Sequence, residues 1–211
     1  MNRREFSSLG AASLATLAAP HARAQAAAGT NYLRLSQRQP TLDANRIEVL
    51  EFFAYTCPHC FAFEPALEAW SRKQPADVLL RRMPVAFREV PFVLHQKLYF
   101  TLESMGLVDS LHRKVFTAIH VDRNPLDSPE KVLDFAVKNG VDKAKFADVL
   151  NSFGVATKAR QAAALSVGYK IDGTPALGVN GEFLTSGTLS GGNEAALGTV
   201  DQLVAQIRQR K

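Results

Sequence analysis

Two cysteines and one tryptophan among 211 residues are the scarcest features of this chain, and the scarcity excludes a good deal. Cys57 and Cys60 lie three residues apart. They cannot staple a fold, because a bond across so short a loop removes little chain entropy. Structural zinc needs four ligands, and His59, His95, His112 and His120 form no second close pair to complete one. No uncharged run reaches the roughly 20 residues needed to cross a bilayer. There is no internal repeat and no low-complexity tract. A nucleic-acid surface is excluded by charge: Arg3, Arg4 and Arg23 against Glu5 hold two of the five excess positive charges, and the remaining basic residues are scattered among acids.

What is present first is a leader. Arg3 and Arg4 precede a small-residue apolar run from Leu9 to Ala19, then Ala22-Arg23-Ala24 and Ala24-Gln25-Ala26. This is the layout of a cleaved export signal over residues 1–24, twin-arginine-like or general secretory. The mature chain is then expected outside the cytoplasm, soluble, where disulfides form and persist. In such a chain a lone close cysteine pair points to chemistry.

Residues 25 to 37 read as an extended arm, with Tyr32 to Leu35 as an edge strand. Ile47 to Ala54 is dense enough in apolar side chains for a strand covered on both faces, and it runs directly into Cys57. A helix follows from Pro58 through Phe61, Leu67 and Trp70, where Pro65 predicts a kink or a break one turn earlier. Val78 to Phe87 reads as a second strand. From Pro91 to Gly168 the pattern is helix after helix. One opens at Ser128-Pro129-Glu130; another is capped by Asp142 with Phe146, Val149, Leu150 and Phe153 on its apolar side; an Ala-rich one spans Ala156 to Val167. Ala176 to Val179 then forms a strand, Asn180-Gly181 a hairpin into Phe183 and Leu184, and Asn193 to Arg208 a closing helix. The fold class is α/β. Residues 25–88 and 169–211 belong together, since neither alone makes a covered sheet, and a helical block over 89–168 interrupts them.

A Cys-x-x-Cys placed where a buried strand hands over to a helix puts the first sulfur at the helix N-terminus. Cys57 takes the cap and Pro58 the first helical position, where its missing donor costs nothing. Unpaired N–H groups and the helix dipole favour a thiolate there. His59 adds a ring that can donate to that thiolate or carry positive charge beside it. Cys60, one turn on, can close a disulfide and is the less exposed of the two. Glu51 interrupts an apolar strand, and a buried carboxylate demands a partner or a proton.

Glu51-Phe52-Phe53 followed by Cys57-Pro58-His59-Cys60 and Phe63-Glu64 resembles the DsbA family of periplasmic thiol-disulfide oxidases, over nearly all the mature chain. The resemblance implies a thioredoxin-like fold with an inserted helical domain, a periplasmic location, and a redox-active Cys57–Cys60 disulfide with no dissociable cofactor; that no metal is expected rests on the count of ligands. It implies that Glu51 assists proton transfer with a basic partner on the next strand, Arg82 or alternatively Arg81, and that Glu64 is either a family acid or a solvated helix residue. It implies a cis Thr174-Pro175 bond opposite the cysteines, where the backbone receives an extended substrate. Its partners would be exported proteins with cysteine pairs and a DsbB-like, quinone-linked membrane oxidant. Thr174 stands where the family commonly has valine, and threonine is more typical of relatives that isomerise or reduce, so a disulfide isomerase or reductase is the alternative. Such isomerases resemble dimers with a separate N-terminal domain; about 20 residues between leader and first strand leave no room for one, and a monomer is expected. A metal-binding protein is the non-enzymatic alternative.

Overall fold

The computed structural model describes residues 31–88 and 91–210. The expected export signal, and the expected start of the helical block at Glu89, lie outside the described residues.

Strands β1 (Leu33–Arg34), β2 (Ile47–Phe53), β3 (Val78–Pro84), β4 (Ala176–Val179) and β5 (Phe183–Ser186) form one sheet in the order β1-β5-β4-β2-β3. β2 and β3 are parallel, and the other pairs antiparallel. β2 is central and buried along its whole length, as its unbroken apolar density requires. Its alternation sorts the core. Ile47 and Val49 face α1 (Pro58–Ser71) and the closing helix, packing with Phe63, Leu67 and Trp70, whereas Leu50 and Phe52 belong to the core beneath the helical block. Glu51 is in phase with Ile47 and Val49 and therefore points to the α1 side.

Between β3 and β4 run α2 (Phe92–Ser104), α3 (Val108–His120), α4 (Pro129–Lys138), α5 (Lys143–Leu150) and α6 (Phe153–Gly168). After β5 come the short α7 (Gly187–Ser190), absent from the sequence reading, and α8 (Asn193–Arg208). Asn180 and Gly181, both at positive φ, make the β4–β5 hairpin. Trp70 Nε1 donates to Asp201 at 2.8 Å, and Arg208 clasps Asp77 through two 2.7 Å bonds, fixing α8 to α1 and to the start of β3.

Three local expectations are corrected. The break at Pro65 does not occur: α1 continues to Ser71, the loss of one donor to the Phe61 carbonyl being outweighed by burial of Phe63, Leu67 and Trp70. β3 ends at Pro84 rather than Phe87, because a proline cannot continue the ladder; Gln96 donates to its carbonyl at 2.9 Å and Phe87 is left exposed. Phe153 is not on the apolar side of α5. Ser152 caps a new helix, its Oγ accepting from Val155 at 3.2 Å, and Phe153 as first residue of α6 is 79% exposed.

Candidate active site at the start of α1

The turn after β2 closes with a bond from Cys57 N–H to the Ala54 carbonyl at 3.0 Å, placing Cys57 as the N-cap of α1 in an extended conformation. Pro58 occupies the first turn. Cys57 is half-buried and Cys60 fully buried, both as free thiols. Cys57 Sγ accepts from Cys60 N–H at 3.3 Å. Hydrogen bonding with the Cys60 side chain is the largest influence on Cys57; burial opposes it, and the Thr174 side chain and the N–H groups of Cys60 and His59 reinforce it. The result is a thiol lowered to about 5. Cys60 moves far the other way, through burial, its bond with Cys57 and the nearby Glu51.

The Thr174–Pro175 peptide bond is cis. The Thr174 carbonyl lies 3.3 Å from Cys57 Sγ and accepts from the protonated thiol. Thr174 therefore acts both ways, its side chain favouring the thiolate and its carbonyl the thiol. His59 is exposed, and what it offers the sulfur here is its backbone N–H rather than its ring. His59, Thr174 and Pro175 line a cavity of about 650 Å³ together with Ser186, Leu189 and Asn193.

Beneath the cysteines lies a buried charge cluster. Glu51 and Arg82 are in register on adjacent parallel strands, with Arg82 Nε 3.3 Å from Glu51 Oε2. In-register residues of neighbouring strands share a face, which selects Arg82; Arg81 points to the other face and pairs with Glu48 at 2.6 Å. The hydrogen bonds of Arg82 nevertheless go to Glu64, from Nε at 3.3 Å and Nη2 at 2.7 Å, and neither Glu51 oxygen has a hydrogen-bond partner among the described residues. Burial, and next the charge of Glu64, therefore push the Glu51 carboxyl well up. Glu64 is buried, which removes the solvated alternative. Burial pushes it up, but His112 and Arg82 together hold it down to about 2.

Sequence reasoning missed Tyr55 and His112. His112 Nε2 lies 3.1 Å from Glu64 Oε1, and its Nδ1 is 2.8 Å from the Tyr55 hydroxyl. The available signal was its place in the helical stripe of Leu111 and Val115: a histidine on an apolar face requires buried partners. Among the described residues no three His, Cys, Asp or Glu side chains are grouped to hold a metal ion, and no helix is long and apolar enough to cross a membrane.

Residues 48–195 match the DSBA-like thioredoxin domain family. The chain is 46% identical to the thiol:disulfide interchange protein DsbA of Bordetella parapertussis over 204 residues, covering 95% of this chain and 96% of that one. It is 40% identical to the protein of the same name from Pseudomonas aeruginosa, over 86% and 85% of the two chains. The crystal structure of Pseudomonas aeruginosa DsbA superposes with a TM-score of 0.84 at 39% identity, covering 88% of this chain and 96% of that one.

Proposed function

This chain belongs to the DSBA-like thioredoxin family and is a thiol-disulfide oxidoreductase, and we propose that it works as a dithiol oxidase with Cys57 as the exchanging sulfur. A substrate thiolate attacks Cys57 Sγ of the oxidised enzyme. The Cys57–Cys60 bond breaks, its electron pair leaves on Cys60, and Glu51 supplies the proton that this buried sulfur requires. A second substrate thiolate then attacks the substrate sulfur of the mixed disulfide. Cys57 leaves as a thiolate, the substrate disulfide is complete, and the enzyme has gained two electrons.

The carrying observation is the contrast between neighbours: Cys57 is lowered to about 5 and half-buried, so it leaves readily, while Cys60 is buried and held protonated. Pro58 and His59 tune the first sulfur, and Thr174 and Pro175 offer backbone to an extended substrate in the adjoining cavity. Reduced enzyme needs a two-electron acceptor; a DsbB-like, quinone-linked membrane protein fits, as does a periplasmic location and exported proteins with cysteine pairs as substrates. Residues 31–88 and 169–210 form the redox unit and the helices between them an inserted domain. After oxidation with a small disulfide, the Cys60→Ala protein should trap a mixed disulfide with a peptide carrying a single cysteine, which has no second thiol to resolve it, and Cys57→Ala should not. Trapping through Cys60 alone would overturn the assignment of the exchanging sulfur.

A further inference from the structure

Three histidines of the inserted helices converge on one residue of the active-site strand. His112 Nδ1 is 2.8 Å from the Tyr55 hydroxyl, His120 Nε2 is 2.8 Å from the Tyr55 carbonyl, and the His95 ring stands edge-on to the Tyr55 ring at 6.1 Å. Tyr55 is buried and lies two residues before Cys57. Of the three, only His112 also reaches the charge cluster. The Glu64 carboxylate can only accept, so the proton of the His112 ring belongs on Nε2, and Nδ1 accepts from the Tyr55 hydroxyl. Each ring nitrogen thus has one fixed role.

Glu64 receives donors from both Arg82 and His112, and Glu51, as close to Arg82 Nε, receives none. A guanidinium fork can serve one carboxylate in bidentate fashion. We infer that His112 is a positioning residue for the exchange reaction: by donating to Glu64 it keeps the Arg82 fork there and leaves Glu51 free to hold the proton that Cys60 takes. This rests on the role given to Glu51 above. Other charged groups around the cluster are Glu68 on α1, Arg72 at its C-cap, and Asp109 and Arg113 on α3, which line a cavity of about 450 Å³ bordered by His112 and Arg82; Tyr99 faces Arg82 from α2.

Without the His112 donor, Glu64 takes up a proton at higher pH, and Arg82 then turns to Glu51 and ionises it. The test is the pH profile of single-turnover reduction of the oxidised enzyme by a dithiol peptide. His112→Phe keeps a ring against Phe53, Tyr99 and Phe116 and removes both nitrogens. Expressed per substrate thiolate, its alkaline limb, where Glu51 loses its proton, should move down by about one pH unit, while the Glu64 carboxyl signal moves up. His112→Gln, which retains an N–H donor, should restore much of the shift, and Tyr55→Phe should move the limb less than His112→Phe. A superimposable profile with only a lower melting temperature would reduce His112 to a packing residue. In the wild type, nitrogen NMR should find the proton on Nε2; a proton on Nδ1 instead would overturn the inference even if His112→Phe did not fold. Loss of mixed-disulfide trapping at Cys57 in the Cys60→Ala protein would sink the underlying reading as well, whereas normal trapping with an unmoved variant profile sinks this inference alone.

Discussion

Arg82 Nε stands 3.3 Å from Glu51 Oε2, yet Arg82 spends its hydrogen bonds on Glu64. One buried cation between two buried carboxylates leaves the pair one charge in excess, and the proton that resolves it belongs to Glu51, the acid without a donor.

Replacing Glu51 with Gln should separate stability from catalysis. A carboxyl raised in the folded state contributes stability at low pH that is lost as pH rises through its folded value. Glu51→Gln should therefore equal the wild type in acid and exceed it near and above neutrality, by roughly 1–3 kcal/mol. Its single-turnover reduction should slow by about tenfold or more. Urea melts at two pH values and a stopped-flow trace check both; a variant less stable at neutral pH would contradict the protonated Glu51.

The opposite sign holds for Glu64. A carboxyl held down to about 2 contributes stability that is present above its ordinary range and lost as pH falls through that value. Glu64→Gln leaves Arg82 and His112 short of an acceptor and should cost roughly 3–5 kcal/mol at neutral pH. The deficit should shrink progressively in strong acid, as the wild-type carboxylate itself becomes protonated. Denaturant midpoints across the acid range measure it.

Thr174→Val removes a hydroxyl that favours the Cys57 thiolate and keeps the carbonyl that accepts from the thiol. The Cys57 thiol should rise by up to about one unit, and the enzyme should become correspondingly less oxidising. Alkylation rate against pH reads the first effect and equilibration with glutathione the second.

Packing gives a contrast within the apolar residues. Leu67 is fully buried between β2 and α8, and Leu67→Ala should cost roughly 2–5 kcal/mol. Phe153, 79% exposed, should tolerate Phe153→Ser within about 0.5 kcal/mol. Thermal melts of the two variants decide it.

What could be read in the sequence follows from how local each signal is. Cys57, Pro58 and Cys60 announce their helix cap within four residues, and Asn180-Gly181 announces its hairpin within two. The α/β class and the helical block between β3 and β4 follow from hydrophobic period alone. The choice of Arg82 over Arg81 needed the β2–β3 register, which places Glu51 against Arg82 and sends Arg81 to Glu48. Glu64 was ambiguous because one glutamate on a helix does not say what covers it; α3 and β3 do. His112 and Tyr55 are 57 residues apart, and no pattern in either segment pairs them. Phe153 misled because its apolar character fits the α5 stripe, while Ser152 beside it carries the helix-start signal.

The direct test of the whole account is the pH dependence of Cys57 alkylation in the reduced protein, measured together with its redox equilibrium against glutathione. Because the disulfide has no proton to lose, a depressed Cys57 favours the reduced form increasingly as pH rises from about 5, and that advantage is lost as pH falls through 5. At pH 7 it amounts to at most roughly 2.7 kcal/mol, or about 60 mV, an upper bound because the sulfur is partly solvated. The account predicts an alkylation midpoint near 5 and a strongly oxidising couple. A midpoint near that of a free thiol, with a couple as reducing as that of thioredoxin, would contradict it and leave a reductase or isomerase in its place.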